Sequence, residues 1–436
     1  MKPYPRYNQS SARWYSSFPE TWSEVKAKRL FSNERERASS EDEQLAASQK
    51  YGVIPQALMM AQNNAKVMLA LKGTDNFKQV RENDFVISLR SFEGGIEHSK
   101  YNGCISPAYT VLRLRHESSH PNYFRYALKC SPFIQALNST SEGIRDGKTI
   151  TYDEFGELLV ALPNQAEQKA IATFLDRETQ RIDSLIEEKQ NFIKLLKEKR
   201  QALISHVVTK GLNPNVEMQD SGIEWIGQVP KHWEVKKIKH ICSNFMYGTS
   251  QDCNQSDVGY PVLRIPNIKS TNVDFEDLKY ANISDVDALT YLLSRGDILL
   301  IRTNGNPNLV GQSALFDSNG QYLFASYLIK LTPKRGVDTS FLVEAMNSLS
   351  VRQALTFQSR TSVGNYNLSI PSLANTSIAI PPIDEQKTIT NYLSAATINI
   401  DLLTQETDKS IDLLKEHRTS LISAAVTGKI DVREAV

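Results

Sequence analysis

The sequence predicts an α+β protein made of two similar halves, each a globular domain followed by one long helix. Three observations predict it: an internal repeat at half the chain length, a seven-residue apolar period inside the repeated stretch, and short strand-like runs bounded by Gly- and Asn-rich loops elsewhere.

Sliding the 436-residue chain against itself by 218 positions aligns 163–212 with 381–430 without a gap, with 22 identities in 50. Glu167-Gln168-Lys169 falls on Glu385-Gln386-Lys387, Ile182-Asp183 on Ile400-Asp401, and Leu203-Ile204-Ser205 on Leu421-Ile422-Ser423. A fainter echo at offset 211 sets Trp14, Pro19 and Trp22 on Trp225, Pro230 and Trp233, so each half opens with W-x4-P-x2-W. The order becomes a globular domain over 1–162, a helical spacer over 163–212, a second globular domain over 213–380 and a second helical region over 381–436. Between opener and repeat, about 30–160 and 241–380 show only scattered correspondence, such as Asn83-Asp84-Phe85-Val86-Ile87 against Gly296-Asp297-Ile298-Leu299-Leu300.

Leu175, Ile182, Leu196 and Leu203 recur every seven residues, with Leu185 and Phe192 as a companion row, and Leu393, Ile400, Leu414 and Leu421 repeat the pattern. Such spacing describes a long helix with an apolar seam. The seam position in the middle is polar in both copies, Lys189 and Thr407. Asn164 followed three residues later by Glu167 gives a helix start, and Gly211 and Gly428 give the stops. Neither seam can be buried alone, and the duplication favours pairing of the two helices within one chain. In the globular stretches, Asp84–Arg90, Tyr109–Leu114, Asp297–Arg302 and Tyr327–Leu331 read as strands followed by polar loops.

Composition excludes more than it names. With 40% hydrophobic and 23% charged residues the chain buries sizeable cores, and a mean hydropathy of -0.37 with no apolar run longer than Leu158–Leu162 argues against a membrane span. A soluble cytoplasmic protein is expected. Cys104, Cys130, Cys242 and Cys253 lie too far apart for a C-x-x-C zinc or redox site. His116-Glu117-Ser118-Ser119-His120 matches the H-E-x-x-H zinc string, yet it follows a strand-like run and meets Pro121, so it reads as a polar loop. Asp384 and Glu385 resemble a nuclease acid pair, but Asp384 is Ala166 in the first copy, so they read as a solvated helix start. Neither a phosphate-binding Gly-rich loop followed by Lys-Ser or Lys-Thr nor an N-P-P-aromatic methyltransferase string occurs.

The net charge is +1 and no segment is strongly basic. Even so, Arg90, Lys100, Arg113, Arg115, Arg145, Lys148, Arg264, Lys269, Arg302, Arg352 and Arg360 fall at or near predicted strand ends and loops. Arg and Asn in such places suit the edges of guanine and adenine. Near-neutrality then implies that partner subunits supply much of the phosphate-binding surface.

D-S-G-I-E-W-I-G-Q-V-P-K-H-W at 220–233, with L-P-N-Q-A-E-Q-K-A-I-A-T-F-L-D and I-P-P-I-D-E-Q-K-T-I-T-N-Y-L in the repeats, resembles the specificity subunit of type I restriction-modification enzymes over essentially the whole chain. The first opener, S-A-R-W-Y-S-S-F-P-E-T-W, lacks the S-G-I-E-W-I-G core. The resemblance implies two target recognition domains, each reading half of a split site in double-stranded DNA, separated by two antiparallel conserved helices. It implies no catalysis or cofactor in this chain. S-adenosylmethionine, ATP and Mg belong to the partners, two methyltransferase (modification) subunits and the restriction (translocase) subunits. Recognition is expected at Arg90, Ser91, Phe92, Gly94, Gly95 and Lys100, and at Arg145 and Lys148, in the first domain. In the second it is expected at Tyr247, Thr249 and Ser250, at Arg264 and Asn267, at Arg302, Asn304 and Asn306, and at Arg360, Asn365, Tyr366 and Asn367. A stand-alone DNA-modifying enzyme and a coiled-coil scaffold without DNA contact are the alternatives.

Overall fold

The repeated stretches fold as two long helices, Gln165–Lys210 and Ile383–Val426. The computed structural model describes residues 2–39, 41–63, 76–87, 96–140, 150–255, 258–362 and 364–434. The chain divides into two compact units, Met1–Lys189 with Lys409–Val436 and Gln190–Asp408, so each unit holds half of each long helix. In the first unit Arg418 of the second helix grips Asp183 of the first, Nε and Nη2 donating to the two carboxylate oxygens at 2.9 and 3.1 Å. In the second unit Arg200 donates to Asp401 at 2.9 Å. These are one pair repeated at offset 218, and they require the helices to run antiparallel. Exposed pairs of this kind contribute about 0–1 kcal/mol, so they mark the register and the apolar seam supplies the adhesion.

That seam corrects one expectation. Leu175 and Ile182 are buried as the seven-residue period requires, but Leu185 and Phe192 are 37% and 43% exposed. The companion row lies four residues on, not three: Thr179, Ile193 and Val207 are buried, as are Thr397, Ile411 and Ala425 in the second helix. Positions i+3 and i+4 flank opposite sides of i, and apolar residues occur at both, so the period alone does not choose between them. Thr179 and Thr397 sit in the seam by returning their hydroxyl protons to the carbonyls of Leu175 and Leu393 at 2.6 and 2.8 Å.

Each helix start is tied to its own globular domain by the glutamine of the E-Q-K motif. Gln168 donates to the Pro163 carbonyl at 2.9 Å and accepts the His120 backbone N–H at 2.8 Å. Gln386 donates to the Pro381 carbonyl at 2.8 Å and accepts the Asp338 N–H at 2.7 Å. His120 and Asp338 are the residues just before the helices Pro121–Ala127 and Thr339–Met346. Each helix end is closed by the opener of the same unit. Gly428 has φ of +72°, and a Cβ there would stand 2.4 Å from Cδ of Pro19. Gly211, at φ +75°, lies against the Trp233 ring. Trp22 and Trp233 are both buried.

The two domains share more than the sequence displays. The openers form hairpins of one register, Tyr7 opposite Pro19 and Met218 opposite Pro230, although the first lacks the longer motif. The strand Ser23–Lys26 pairs with Leu159–Leu162 as Glu234–Lys237 pairs with Ser377–Ile380, again in one register. In the first unit a four-stranded antiparallel sheet runs Phe31–Glu34, Thr110–Leu114, Phe85–Ile87, Ile96–His98. The second unit repeats it as Cys242–Tyr247, Leu328–Pro333, Ile298–Ile301, Ser313–Leu315, and adds Asn272–Val273 and Ile268–Lys269. The helix pair Pro121–Ala127 and Ser131–Thr140 returns at offset 218 as Thr339–Met346 and Leu349–Gln358.

Half of each stretch that looks dissimilar in sequence is therefore one fold used twice. Its core keeps apolar character but not identity: Phe124, Phe133 and Phe155 occupy the places of Leu342, Val351 and Leu373, and all six are buried. The scattered match at Asp84 and Asp297 also has a cause. Each follows a left-handed residue, Asn83 at φ 70° or Gly296 at φ 95°, and each carboxylate accepts the N–H three residues earlier, at 2.8 Å.

Replacing Gln386 by Leu leaves the Asp338 N–H and the Pro381 carbonyl without partners, at a cost of about 1–3 kcal/mol. Thermal unfolding of Gln386→Leu and Gln168→Leu is expected to start earlier than in the parent by similar amounts; an unchanged midpoint in both would remove this role.

Candidate nucleic-acid interface

The second unit brings four of the expected loops together. The strand Thr303–Asn304 leaves the end of Ile298–Ile301 and pairs with Asn365–Asn367, which pairs with Arg360–Ser362. At their root the Arg302 guanidinium lies over the Tyr247 ring, 4.3 Å from its centroid, and donates to the Ser326 carbonyl at 3.4 Å. The backbone holds Arg302 from both sides, its N–H on the Tyr327 carbonyl at 3.0 Å and its carbonyl on the Leu368 N–H at 2.8 Å. Tyr247 is fixed in turn, its hydroxyl accepting the Ile370 N–H at 3.1 Å. Asn304 and Asn306 shape their own loop by accepting the N–H groups of Asn306 and Asn308 at 2.8 and 3.0 Å.

Beside this platform lies a cleft of about 530 Å³, lined by Thr249, Ser250, Arg264, Ser326 and Tyr327 among others. Thr249 crosses Phe324–Ser326 closely, donating to the Phe324 carbonyl and accepting from Ser326 N–H, both at 2.8 Å. A Cβ on Gly248 would stand 2.1 Å from the Phe324 carbonyl oxygen, so only glycine permits that crossing. Ser326 and Tyr327 join the cleft to the platform, and Tyr327 is 57% exposed. In the sequence Tyr327 stands at the start of a strand-like run, and its signal is an aromatic just ahead of the apolar run Leu328–Leu331.

Several expected contacts serve the fold. Asn267 is buried and spends its side chain on the loop: its oxygen accepts the Arg264 N–H at 2.9 Å, and its amide donates to the carbonyls of Asp274 and Glu276 at 3.1 and 2.9 Å. Thr249 is buried, its hydroxyl accepting the Gln251 N–H. Arg264 lines the cleft while donating to the Asp277 carbonyl at 2.8 Å. Arg113 makes a bidentate pair with buried Asp84 at 2.8 and 2.7 Å, which raises its already high pKa, and Arg115 donates to the carbonyls of Lys28 and Phe31. Neither strand-end cation is spare for a base.

In the first unit Arg90, Ser91, Phe92, Gly94, Gly95, Arg145 and Lys148 lie outside the described residues, as does the side chain of Arg360 in the second. Lys100 is described and exposed, two residues after the strand Ile96–His98. His116 to Ser119 form a turn rather than a helix, and His120 precedes the helix opened by Pro121. Among the described residues no group of three metal-ligating side chains occurs and no helix is long and apolar enough to cross a membrane.

The model of the type I restriction modification DNA specificity domain matches residues 19–195 and again 230–411. This chain belongs to that family. It is 24% identical over 314 residues, 71% of its length, to the type I restriction enzyme EcoKI specificity subunit of Escherichia coli K12, and spans 65% of that relative. Among solved structures, a chain from work on assembly and conformational transition of the type I R-M system aligns with a TM-score of 0.72 at 14% identity, covering 95% of this chain and 99% of that one. The HsdS subunit from Thermoanaerobacter tengcongensis aligns with a TM-score of 0.53 at 15% identity, with the same coverage. These likenesses show the fold: globular domains, each completed by parts of two long helices.

Glu97 and His98, adjacent in the strand Ile96–His98, titrate in opposed senses. Burial pushes the Glu97 carboxyl up to about 7, against the pull of Lys129 at 2.6 Å. Burial also holds the His98 imidazole down at about 4. Between pH 4.5 and 7 the folded state keeps a proton on Glu97 that the unfolded chain has lost, so stability falls as pH rises. Between pH 4 and 6.5 the unfolded chain keeps a proton on His98 that the folded state lacks, so stability rises. Melting curves of Glu97→Gln are expected to gain more between pH 4 and 6.5 than those of the parent; parallel pH profiles would contradict the assignment.

Proposed function

We propose that this chain is the DNA sequence-recognition subunit of a type I restriction-modification complex, each recognition domain reading one half of a bipartite site. The observation that carries this reading is the duplication itself: one recognition fold and one helix, used twice, with the family model matching both copies. A duplex with two half-sites suits two readers on one chain. In the second domain Arg302, held over the Tyr247 ring, is the base-reading group, since a guanidinium presents a planar edge to guanine O6 and N7. Asn304, Asn306, Asn365, Tyr366, Asn367 and Ser250 surround it as adaptable polar contacts. In the first domain the reading groups expected from the sequence are Lys100 and the segments around 90–95 and 145–148.

The chain itself performs no chemistry in this reading. Two methyltransferase subunits carrying S-adenosylmethionine, and restriction subunits driven by ATP with Mg, supply it in the cytoplasm. Methylome sequencing of cells expressing the chain with its modification partner is expected to show one split motif. Exchanging 30–160 for the matching segment of a relative should change one half of that motif and leave the other; a change in both halves refutes independent reading. Arg302→Gln should relax one position of the other half-site, a loss of about 1–3 kcal/mol in discrimination.

A further inference from the structure

Two cavities occupy equivalent places in the two units. In the first unit a cavity of about 440 Å³ lies beside the turn between the paired helices Pro121–Ala127 and Ser131–Thr140, against the second long helix. In the second unit one of about 660 Å³ lies beside the turn between Thr339–Met346 and Leu349–Gln358, against the first long helix. Three lining positions correspond at offset 218: Lys129 with Asn347, Ser131 with Leu349, and Thr419 with Gln201.

Both cavities are cationic, and the cations come from unrelated positions. In the second unit the charge is Arg352. Burial holds its guanidinium down at about 10 with no acidic group opposing the shift. Its Nε is buried without a hydrogen-bond partner, and Nη2 donates to the Asn308 carbonyl. The side chains around it are neutral, including Gln201, Asn308, Gln312, Asn347 and Gln353. A part-buried guanidinium lacking a counter-charge is destabilising until an anion meets it. In the first unit Arg125, Lys129 and Arg418 already hold Asp176, Glu97 and Asp183. Lys50 and Lys100 add charge with no ion pair among the described residues, and Lys50 lies 4.9 Å from the centroid of the Tyr51 ring.

Position selects the anion. Asn308, whose carbonyl Arg352 holds, ends the loop that starts at Asn304, and Thr356 donates to the neighbouring Pro307 carbonyl at 3.4 Å. Lys100, two residues past the strand Ile96–His98, lines the other cavity. A planar donor fork among amide groups, adjoining a base-reading loop, matches a phosphodiester better than a carboxylate-bearing protein surface, because a duplex must present phosphates wherever its bases are read. We propose that the two cavities are phosphate seats, each taking a backbone phosphate of the DNA beside the half-site its domain reads. This rests on the DNA-recognition reading above.

The test uses the full-length chain with its modification partner and a duplex carrying the methylated motif, with affinity measured against salt concentration. Arg352→Gln is expected to make the slope of log K against log salt shallower by about 0.9, one phosphate's worth, and Arg352→Lys to keep it. Lys50→Gln should lose about as much, and the methylated motif should be unchanged in every variant. Slopes equal to the parent's overturn the proposal. A changed motif with an unchanged slope makes Arg352 only a support for the 304–308 loop, and loss of the modification subunit with an unchanged slope makes the cavity a protein contact; both overturn it. Inorganic phosphate alone raising the parent's melting temperature but not that of Arg352→Gln, again with an unchanged slope, assigns the seat to free phosphate instead. Absence of any sequence-specific binding by the parent complex defeats the recognition reading itself and is distinct from all of these.

Discussion

One buried glutamine side chain in each unit fixes where a globular domain stands on its helix. Gln168 and Gln386 bridge the proline carbonyl that ends the domain's last strand and the N–H that begins its first paired helix. The bond to the proline carbonyl is buried and the other part-buried, where an unpaired partner costs more than the bond itself contributes. The side chain must also be an amide, because the site asks for one donor and one acceptor at once. A glutamate in that place lacks the donor, and a lysine lacks the acceptor. The flanking Glu167 and Glu385 extend the tie to the same unit's opener region, through the Tyr4 hydroxyl at 2.6 Å and the His232 imidazole at 2.7 Å.

With the domain pinned there, the antiparallel helices do the rest. Each unit is completed by the start of one helix and the end of the other, so the first unit needs the last residues of the chain: the Tyr123 hydroxyl donates to the Val426 carbonyl, and Trp22 closes over Gly428. Sequence is constrained at these junctions and free beyond them. Paired strands and two packed helices only ask that apolar volume be conserved, which is why Phe133 and Val351 hold one position in two copies of a fold.

That contrast explains what the sequence disclosed. The long helices, their caps, the openers and the strand-like runs were legible because hydrogen-bonding side chains, glycines at positive φ and a seven-residue period leave identities behind. The repetition inside 110–162 and 328–380 was not, because a core keeps only its hydrophobicity; Gln135-Ala136-Leu137 against Gln353-Ala354-Leu355 is a surviving trace. The companion row of the seam was misplaced by one residue, since Leu185 and Phe192 are as apolar as the true row. At the candidate interface, Tyr247 and Arg302 were named from separate segments, but their stacking depends on a tertiary approach that no spacing encodes. Asn267 and Arg113 looked like readers because Asn and Arg suit base edges; burial and the carboxylate of Asp84 decide otherwise.

A chain with a net charge of +1 has few cations to give to a polyanion, and the structure spends many of them internally: Arg113 and Arg115 in the first sheet, Arg200 and Arg418 between the helices, Lys129 on Glu97. Arg352 in one cavity and Lys50 and Lys100 in the other are not spent in this way. A reader that supplies most of the phosphate affinity itself acquires a strong field and binds any duplex. On the function proposed above, a nearly neutral reader with an arginine over an aromatic ring and a few placed cations contributes discrimination instead, and leaves the non-specific part of the affinity to whatever partner carries the basic surface. Specificity and affinity are then separable by subunit, which is the physical condition for exchanging one recognition domain without altering how strongly the whole assembly holds DNA.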